Sequence, residues 1–343
     1  VLLVAKDGKI VYEKSYGSYT YDNLEPVTPE SVYDVASITK ICATTISLMK
    51  LYDEGKLDLK KKLGEYLPIV KGTNKEQLTI ENLLLHQAGL VPYIPFYKET
   101  TDSAGIPLPG MYNKDKNDTF TIRVAENVFM RHDWKDSIMN RILNSQVNNQ
   151  GKYVYSDNDF IFLGMVVEKI SGLSLAEYVK KQFYRPLSLS TAGFLPRQRV
   201  SLNRIVPTET ETGFRKQTLR GDVHDPGAAM LGGIAGHAGL FSNAYDIAVI
   251  MQMLLNGGTL NGKRYLQQET VTLFTNYQRK VSRRGYGFDK PEKDNAKRPE
   301  PSGTFCISSN IRTPGFYRNL HLGRPGKKPG ICFFKQQGSS FIQ

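Results

Sequence analysis

Val35-Ala36-Ser37-Ile38-Thr39-Lys40-Ile41-Cys42 is the stretch that decides how this 343-residue chain is read. Ser37 and Lys40 stand about one helical turn apart, so both project from the same face of the helix that this segment opens. A hydroxyl beside an amine is a known way to activate serine: a desolvated, partly neutral Lys accepts the proton as Oγ attacks. The positive end of the helix dipole disfavours a protonated Lys and favours an incipient alkoxide. The pattern alone also fits a helix cap followed by a solvated Lys. Its surroundings favour the first reading. Ile41, Cys42, Ile46, Leu48, Met49 and Leu51 predict a buried helix that stops at Gly55, and a serine opening such a helix is held rigidly and partly away from water.

A second constellation, Val154-Tyr155-Ser156-Asp157-Asn158, precedes another apolar helical pattern over residues 160–167 that ends at Gly172. From such a turn the Tyr155 phenol could relay a proton to a leaving group, and Asp157 could hold the Lys40 ammonium and orient the substrate. The alternative is a packed Tyr155 with Ser156 or Asp157 as a plain N-cap.

Working outward, Val1 to Ala5, Asp7-Gly8 and Lys9 to Tyr12 predict a hairpin. Thr79 reads as the N-cap of a short helix over Ile80 to His86, closed by Gly89, with His86 a structural hydrogen-bonder at its end. Residues 92–150, rich in Tyr, Asn, Asp, Lys and Pro, read as a long excursion over a cleft. Further helices are expected near Leu175 to Phe183 and over Ala244 to Leu255, and Gly285-Tyr286-Gly287-Phe288 reads as the opening of a strand. Strands at both ends with helices between suggest a sheet closed by distant parts of the chain.

An apolar fraction of 40% and a charged fraction of 23% are ordinary for a globular protein, and no run is long enough for a membrane-spanning helix. The net charge of +12 invites a nucleic-acid reading, but half of it comes from six Lys/Arg in residues 301–343, a span without Asp or Glu. Elsewhere there is no basic stripe interleaved with aromatics, so no nucleic-acid partner is expected. Cys42, Cys306 and Cys332 have no metal-ligand spacing. His224 and His237 beside Asp222 and Asp225 suggest a tight loop at the cleft rather than a metal site. No cofactor is expected.

Together, Ser37-x-x-Lys40 and Tyr155-Ser156-Asp157 resemble the serine β-lactamase and penicillin-binding-protein family, particularly its class-C-like esterase, amidase and D-alanyl peptidase branch. The resemblance continues through Leu83-Leu84-Leu85-His86-Gln87-Ala88-Gly89-Leu90 and Gly236-His237-Ala238-Gly239-Leu240-Phe241-Ser242, and covers roughly residues 1 to 290. It implies an α+β fold, with an antiparallel sheet packed against helices and an all-helical subregion, and the site between them. It also implies acylation of Ser37, with Lys40 and Tyr155 sharing the proton work and Asp157 supporting. The expected substrate is a small-molecule or peptide-like amide or ester, with cell-wall muropeptides the class suggested. An extracytoplasmic location follows by the same resemblance, as does an N-terminal helix that the given sequence does not include. Alternatives are a β-lactamase or a non-catalytic binding module.

Two departures stand out. Asp157 replaces the family's usual Asn, which should favour protonated Lys40 and make Tyr155 the proton acceptor. Read one residue later, Ser156-Asp157-Asn158 mimics the Ser-Asp-Asn of class A enzymes, but a Tyr before an apolar helix fits the class-C-like branch better. The third motif, Lys-Thr-Gly or His-Thr-Gly on an edge strand, is expected near residues 300–320, where Arg312-Thr313-Pro314-Gly315 stands instead. The sequence therefore divides into a hydrolase domain over 1–300 and an anomalous tail over 301–343, without strand patterning. The tail reads as translated out of frame: a one-base shift of a permitted codon set turns Arg318 to Pro325 into Gly-Thr-Cys-Ile-Trp-Val-Asp-Pro.

Overall fold

The expected hairpin opens the chain. Asp7 and Gly8 take φ of 51° and 75°, the left-handed pair that reverses two strands without splaying their twist. The computed structural model describes residues 1–279 and 284–290, together with the backbone of 330–333. β1 (Leu2–Lys6) and β2 (Lys9–Lys14) pair antiparallel, and β3 (Tyr33–Asp34) leads into the turn that carries Ser37.

After that turn the structure departs from a uniform α-helix. Lys40–Thr45 is a π-type segment, and α1 (Ile46–Asp53) follows it. Two threonines account for the widening. Thr45 Oγ1 donates to the Lys40 carbonyl five residues back at 2.7 Å, and Thr44 Oγ1 donates to the Gly236 carbonyl at 2.7 Å. Side-chain donors thus take over carbonyls at this point, as is common where helices serve a site. Gly55, at φ 68°, ends the run as expected.

α2 (Ile80–Leu84) is capped by Thr79, whose hydroxyl accepts the Asn82 N–H at 3.3 Å. Residues 92–150 are more ordered than an irregular excursion. They hold β4 (Tyr112–Asn113), β5 (Ile122–Ala125) and β6 (Val128–Met130), in spatial order β4-β6-β5, and then α3 (Trp134–Asn144). Strands this short carry almost no alternation, and α3 buries only Ile138 and Ile142, so neither period shows in the sequence.

α4 (Asp157–Ser171) starts at the cap Ser156 and stops at Gly172, φ 70°. α5 (Leu175–Val179) runs on as a π-type segment over Lys180–Tyr184. Beyond it come α6 (Pro226–Met230), β7 (Phe241–Ser242), α7 (Ala244–Leu255) and α8 (Gln268–Thr275). α4 packs against α1, α2 and α5 around Leu48, Leu51, Phe160, Phe162, Leu163 and Val166, all buried. Gly285 to Phe288 forms a turn between bridged Arg284 and Asp289 rather than a strand, with Gly287 at φ 79°.

β8 (Gly330–Phe333) pairs antiparallel with β1, from Leu2 opposite Phe333 to Ala5 opposite Gly330. The sheet order β8-β1-β2 is the closure by distant segments that the sequence suggested, and α7 packs on it. A strand in this span was not expected; Ile331-Cys332-Phe333 is a continuous apolar run, which lacks the period of two. The remainder of the proposed out-of-frame tail, including Arg312-Thr313-Pro314-Gly315, lies outside the described residues.

The helical layer and the site loop meet at glycines. A Cβ on Gly236 would stand 2.0 Å from the Phe160 carbonyl oxygen, and one on Gly164 would stand 3.0 Å from Gly236 Cα. Gly236→Ala must therefore push the loop off α4. A loss of about 1–3 kcal/mol or more in stability is expected from overpacking, read as a lower denaturant midpoint, and Gly213→Ala, with open space around it and no left-handed φ, is the contrast.

Candidate active site

The serine turn is built by a buried carboxylate. Asp34 Oδ1 accepts the Ala36 N–H at 2.8 Å, and its Oδ2 accepts the His224 N–H at 2.8 Å. Burial pushes the Asp34 carboxyl above its ordinary range, while these two backbone donors pull it back. Ala36 takes φ 46°, a left-handed conformation costly for a residue with a Cβ. Pairing of β3 with β7 and the Val35 N–H to Leu240 carbonyl bond at 3.0 Å fix the turn against the glycine-rich loop.

Ser37, Lys40, Tyr155 and Asp157 come together. Lys40 Nζ donates to Ser37 Oγ at 2.9 Å, to Asp157 Oδ1 at 2.7 Å and to the His237 carbonyl at 3.1 Å. Tyr155 Oη donates to the same Ser37 Oγ at 2.9 Å. The serine oxygen, with both acceptor positions filled, points its own O–H elsewhere. Burial works to lower the pKa of the Lys40 amine, but the electrostatic pull of Tyr155 and Asp157 and the hydrogen bonds to them outweigh it. Lys40 is thus held above its ordinary value and is an ammonium at neutral pH. That direction is opposite to the partly neutral Lys expected from the Ser-x-x-Lys pattern alone and is the one expected from Asp157.

Tyr155 is placed by the segment that follows α2. Val154 N–H donates to the His86 carbonyl at 2.9 Å, and Asp157 N–H to that of Pro92 at 3.0 Å. Ser156 Oγ and Asn158 Nδ2 both donate to the Val91 carbonyl, at 2.6 and 2.8 Å. Asn158 is buried by that bond, so the class A register is not the one that faces Ser37. The His86 ring packs on Tyr155 with centroids 4.5 Å apart.

The family model described as Beta-lactamase matches residues 1–328. The chain belongs to the beta-lactamase family. It is 35% identical over 314 residues to the "Putative D-alanyl-D-alanine carboxypeptidase" of Escherichia coli (strain K12), covering 84% of this chain and 67% of that protein. It is 32% identical over 302 residues to the N-acetylmuramyl-L-alanine amidase of Bacillus subtilis (strain 168), covering 80% and 63%. The chain thus spans about two thirds of the length of these relatives. Among solved structures, the penicillin-binding protein homolog from Caulobacter crescentus matches with TM-score 0.68 at 18% identity, covering 98% of this chain and 86% of that one. The class C beta lactamase from Rhodobacter sphaeroides matches with TM-score 0.59 at 18% identity, covering 84% and 69%. These establish the α+β fold of the beta-lactamase family for this chain.

Several supporting groups of this family member escaped the sequence reading. His86 Nδ1 and Asp159 Oδ2 lie 2.7 Å apart in the core, and the Ser156 N–H points at the same Nδ1 at 3.3 Å. Burial drives both toward neutrality, His86 well below and Asp159 well above their ordinary values. His86 is the structural hydrogen-bonder that the sequence suggests; its partner Asp159, two residues past Asp157, is buried and carries no motif of its own. His237 Nε2 meets Asp225 Oδ1 at 3.0 Å, and Asp225 also caps α6 through the Ala228 N–H at 2.7 Å. Burial opposes the Asp225 charge, but His237, this N–H and Lys40 hold its carboxyl well below the usual range. His224 pairs instead with Glu209, so the two histidines go to separate carboxylates.

Asp157→Asn tests the electrostatics. With that charge gone, burial should win and the Lys40 ammonium should titrate at lower pH, as followed by Nζ NMR. The sign is fixed by linkage: a raised folded-state value contributes stability in full below 10.5, the ordinary amine value, which is lost as pH rises through the folded one. In the variant, with the folded-state value below 10.5, that alkaline loss should disappear and the Lys40 contribution to stability should instead rise with pH up to 10.5, and an unmoved Lys40 titration contradicts the account.

Proposed function

We propose that the chain is a serine hydrolase that cleaves amides of alanine-containing cell-wall peptides through an acyl-enzyme on Ser37. The observation that carries this reading is the convergence of Lys40 Nζ and Tyr155 Oη on one Ser37 oxygen, each at 2.9 Å. For the reaction, Tyr155, a donor to Ser37 at rest, gives its phenolic proton to solvent and so becomes the acceptor beside the Lys40 ammonium. Ser37 Oγ attacks the carbonyl carbon while its proton passes to Tyr155 Oη. Tyr155 then gives that proton to the departing amine nitrogen as the C–N bond breaks. Water reverses the sequence: its proton goes to Tyr155, its oxygen attacks the ester, and Ser37 leaves with the proton. Lys40 keeps its charge throughout and favours the phenolate electrostatically. The oxyanion needs N–H donors, and the edge strand that commonly supplies one in this family falls in a span outside the described residues.

The substrate class rests on the relatives. D-alanyl-D-alanine and N-acetylmuramyl-L-alanine, in the names of the two proteins above, both present an amide to an alanine. Hydrolysis of each type, compared with that of a β-lactam, tests the reading: turnover of the β-lactam alone would replace it with a β-lactamase.

Ser37→Ala should abolish covalent labelling by a fluorophosphonate or penicillin probe together with turnover, and retained turnover refutes the nucleophile. Lys40→Met and Tyr155→Phe should each cost nearly as much as the pair, because groups acting as one unit are non-additive. A double-mutant cycle on the acylation rate with additive losses would separate their roles.

A further inference from the structure

A pocket of about 380 Å³ opens between the β5–β6 hairpin on one side and residues 221–223 and Gly232-Gly233 on the other. None of Ser37, Lys40, Tyr155 and Asp157 lines it. Its size is that of a small-molecule site. Ile122, Phe129, Leu195 and Phe241 supply apolar wall, and Lys116, Arg123 and Lys135 bring three cations against one carboxylate, Asp222. That carboxylate is already committed: Arg123 binds it in bidentate fashion at 2.6 and 3.0 Å.

Lys135 is the unusual member. Its ammonium is half-buried and makes no hydrogen bond or ion pair among the described residues. Burial lowers its pKa. It also stands in the first turn of α3, the end where the helix dipole repels a cation. The ammonium nitrogen occupies the space beside Gly232, only 3.1 Å from where a Cβ would be. Here a desolvated cation stands at the wrong end of a helix, over a glycine that leaves room for it; the Glu168 carboxylate acts on it but forms no ion pair with it, so its donors are open to an anion in the pocket.

We infer that this pocket binds a small organic anion, with its carboxylate or phosphate on Lys135, Lys116 and the outer edge of Arg123 and its apolar body against Phe129, Leu195 and Phe241. The site is separate from the acylation centre, so its occupancy does not depend on the hydrolase reading.

The protein has a single tryptophan, Trp134, next to Lys135, and its fluorescence reports the local charge. Titration with phenyl phosphate and with benzoate, checked by calorimetry, should give saturable binding, equally in the Ser37→Ala variant. Lys135→Met should weaken it at least about tenfold, the loss of one charged hydrogen bond, whereas Lys61→Gln on the exposed surface should leave it unchanged. Inorganic phosphate should bind more weakly than phenyl phosphate, and neutral benzyl alcohol should not bind. Which of the two anions binds tighter sorts a carboxylate ligand from a phosphate ester. Absence of saturation, equal binding by Lys135→Met in a variant with native circular dichroism, or equal binding of benzyl alcohol overturns the assignment. Inorganic phosphate binding as tightly as phenyl phosphate overturns its apolar half.

Discussion

One buried ammonium ties the site together. Lys40 is only 3% exposed, yet its three donors reach the serine of its own turn, a carboxylate at the head of α4 and a carbonyl of the glycine-rich loop. Removing such a charge from water is expensive, and the cost is offset only where every donor finds an acceptor and an anion stands close. The three segments that meet there are consequently held in one arrangement. Moving any of them strands a charge in the core, and this constraint explains why so much nearby structure is locked by short contacts.

The locking is carried by small residues and backbone donors more than by large side chains. Gly236 lies against the Phe160 carbonyl and Gly164 against Gly236, so α4 and the loop touch backbone to backbone. Thr44 holds the Gly236 carbonyl, and Thr39 Oγ1 accepts the Leu240 N–H at 3.0 Å while donating to the Ala36 carbonyl at 2.6 Å. His237 can then present its carbonyl to Lys40 while its ring turns to Asp225. The same residue serves two partners because the loop around it cannot shift.

Much of this was legible in the sequence, and the reason is periodicity. Lys40 and Ser37 are one turn apart, Tyr155 and Asp157 flank a helix cap, and long apolar runs give away α1, α4 and α7. Two-residue strands such as β4 and β7 were not legible, since their placement comes from pairing with distant strands rather than from local pattern. The π-type segment after Ser37 was hidden for another reason: Thr44 and Thr45 look like ordinary helix residues until their hydroxyls find the Gly236 and Lys40 carbonyls. Asp34 and Asp159 carry no motif. Their work is to be buried acceptors or donors for backbone and ring groups brought close only by the fold. The charge of Lys40 lay between these cases, since Asp157 pointed to an ammonium before any distance was known.

The pairing of β1 with β8 has a kinetic consequence. Leu2 and Phe333 are partners in one ladder, so the contact that completes this sheet is among the most non-local the chain can make. Loop-closure entropy must be met before that contact returns anything. During synthesis the β1–β2 hairpin would form early and wait, with the β1 edge open, until nearly all of the helical layer had followed. β2 is exposed along its whole length, though Lys9, Glu13 and Lys14 dot its surface with charge. An open hairpin of this kind is a natural target for strand capture by another chain, so slow translation or a chaperone that shields β1 and β2 should raise the yield of native protein.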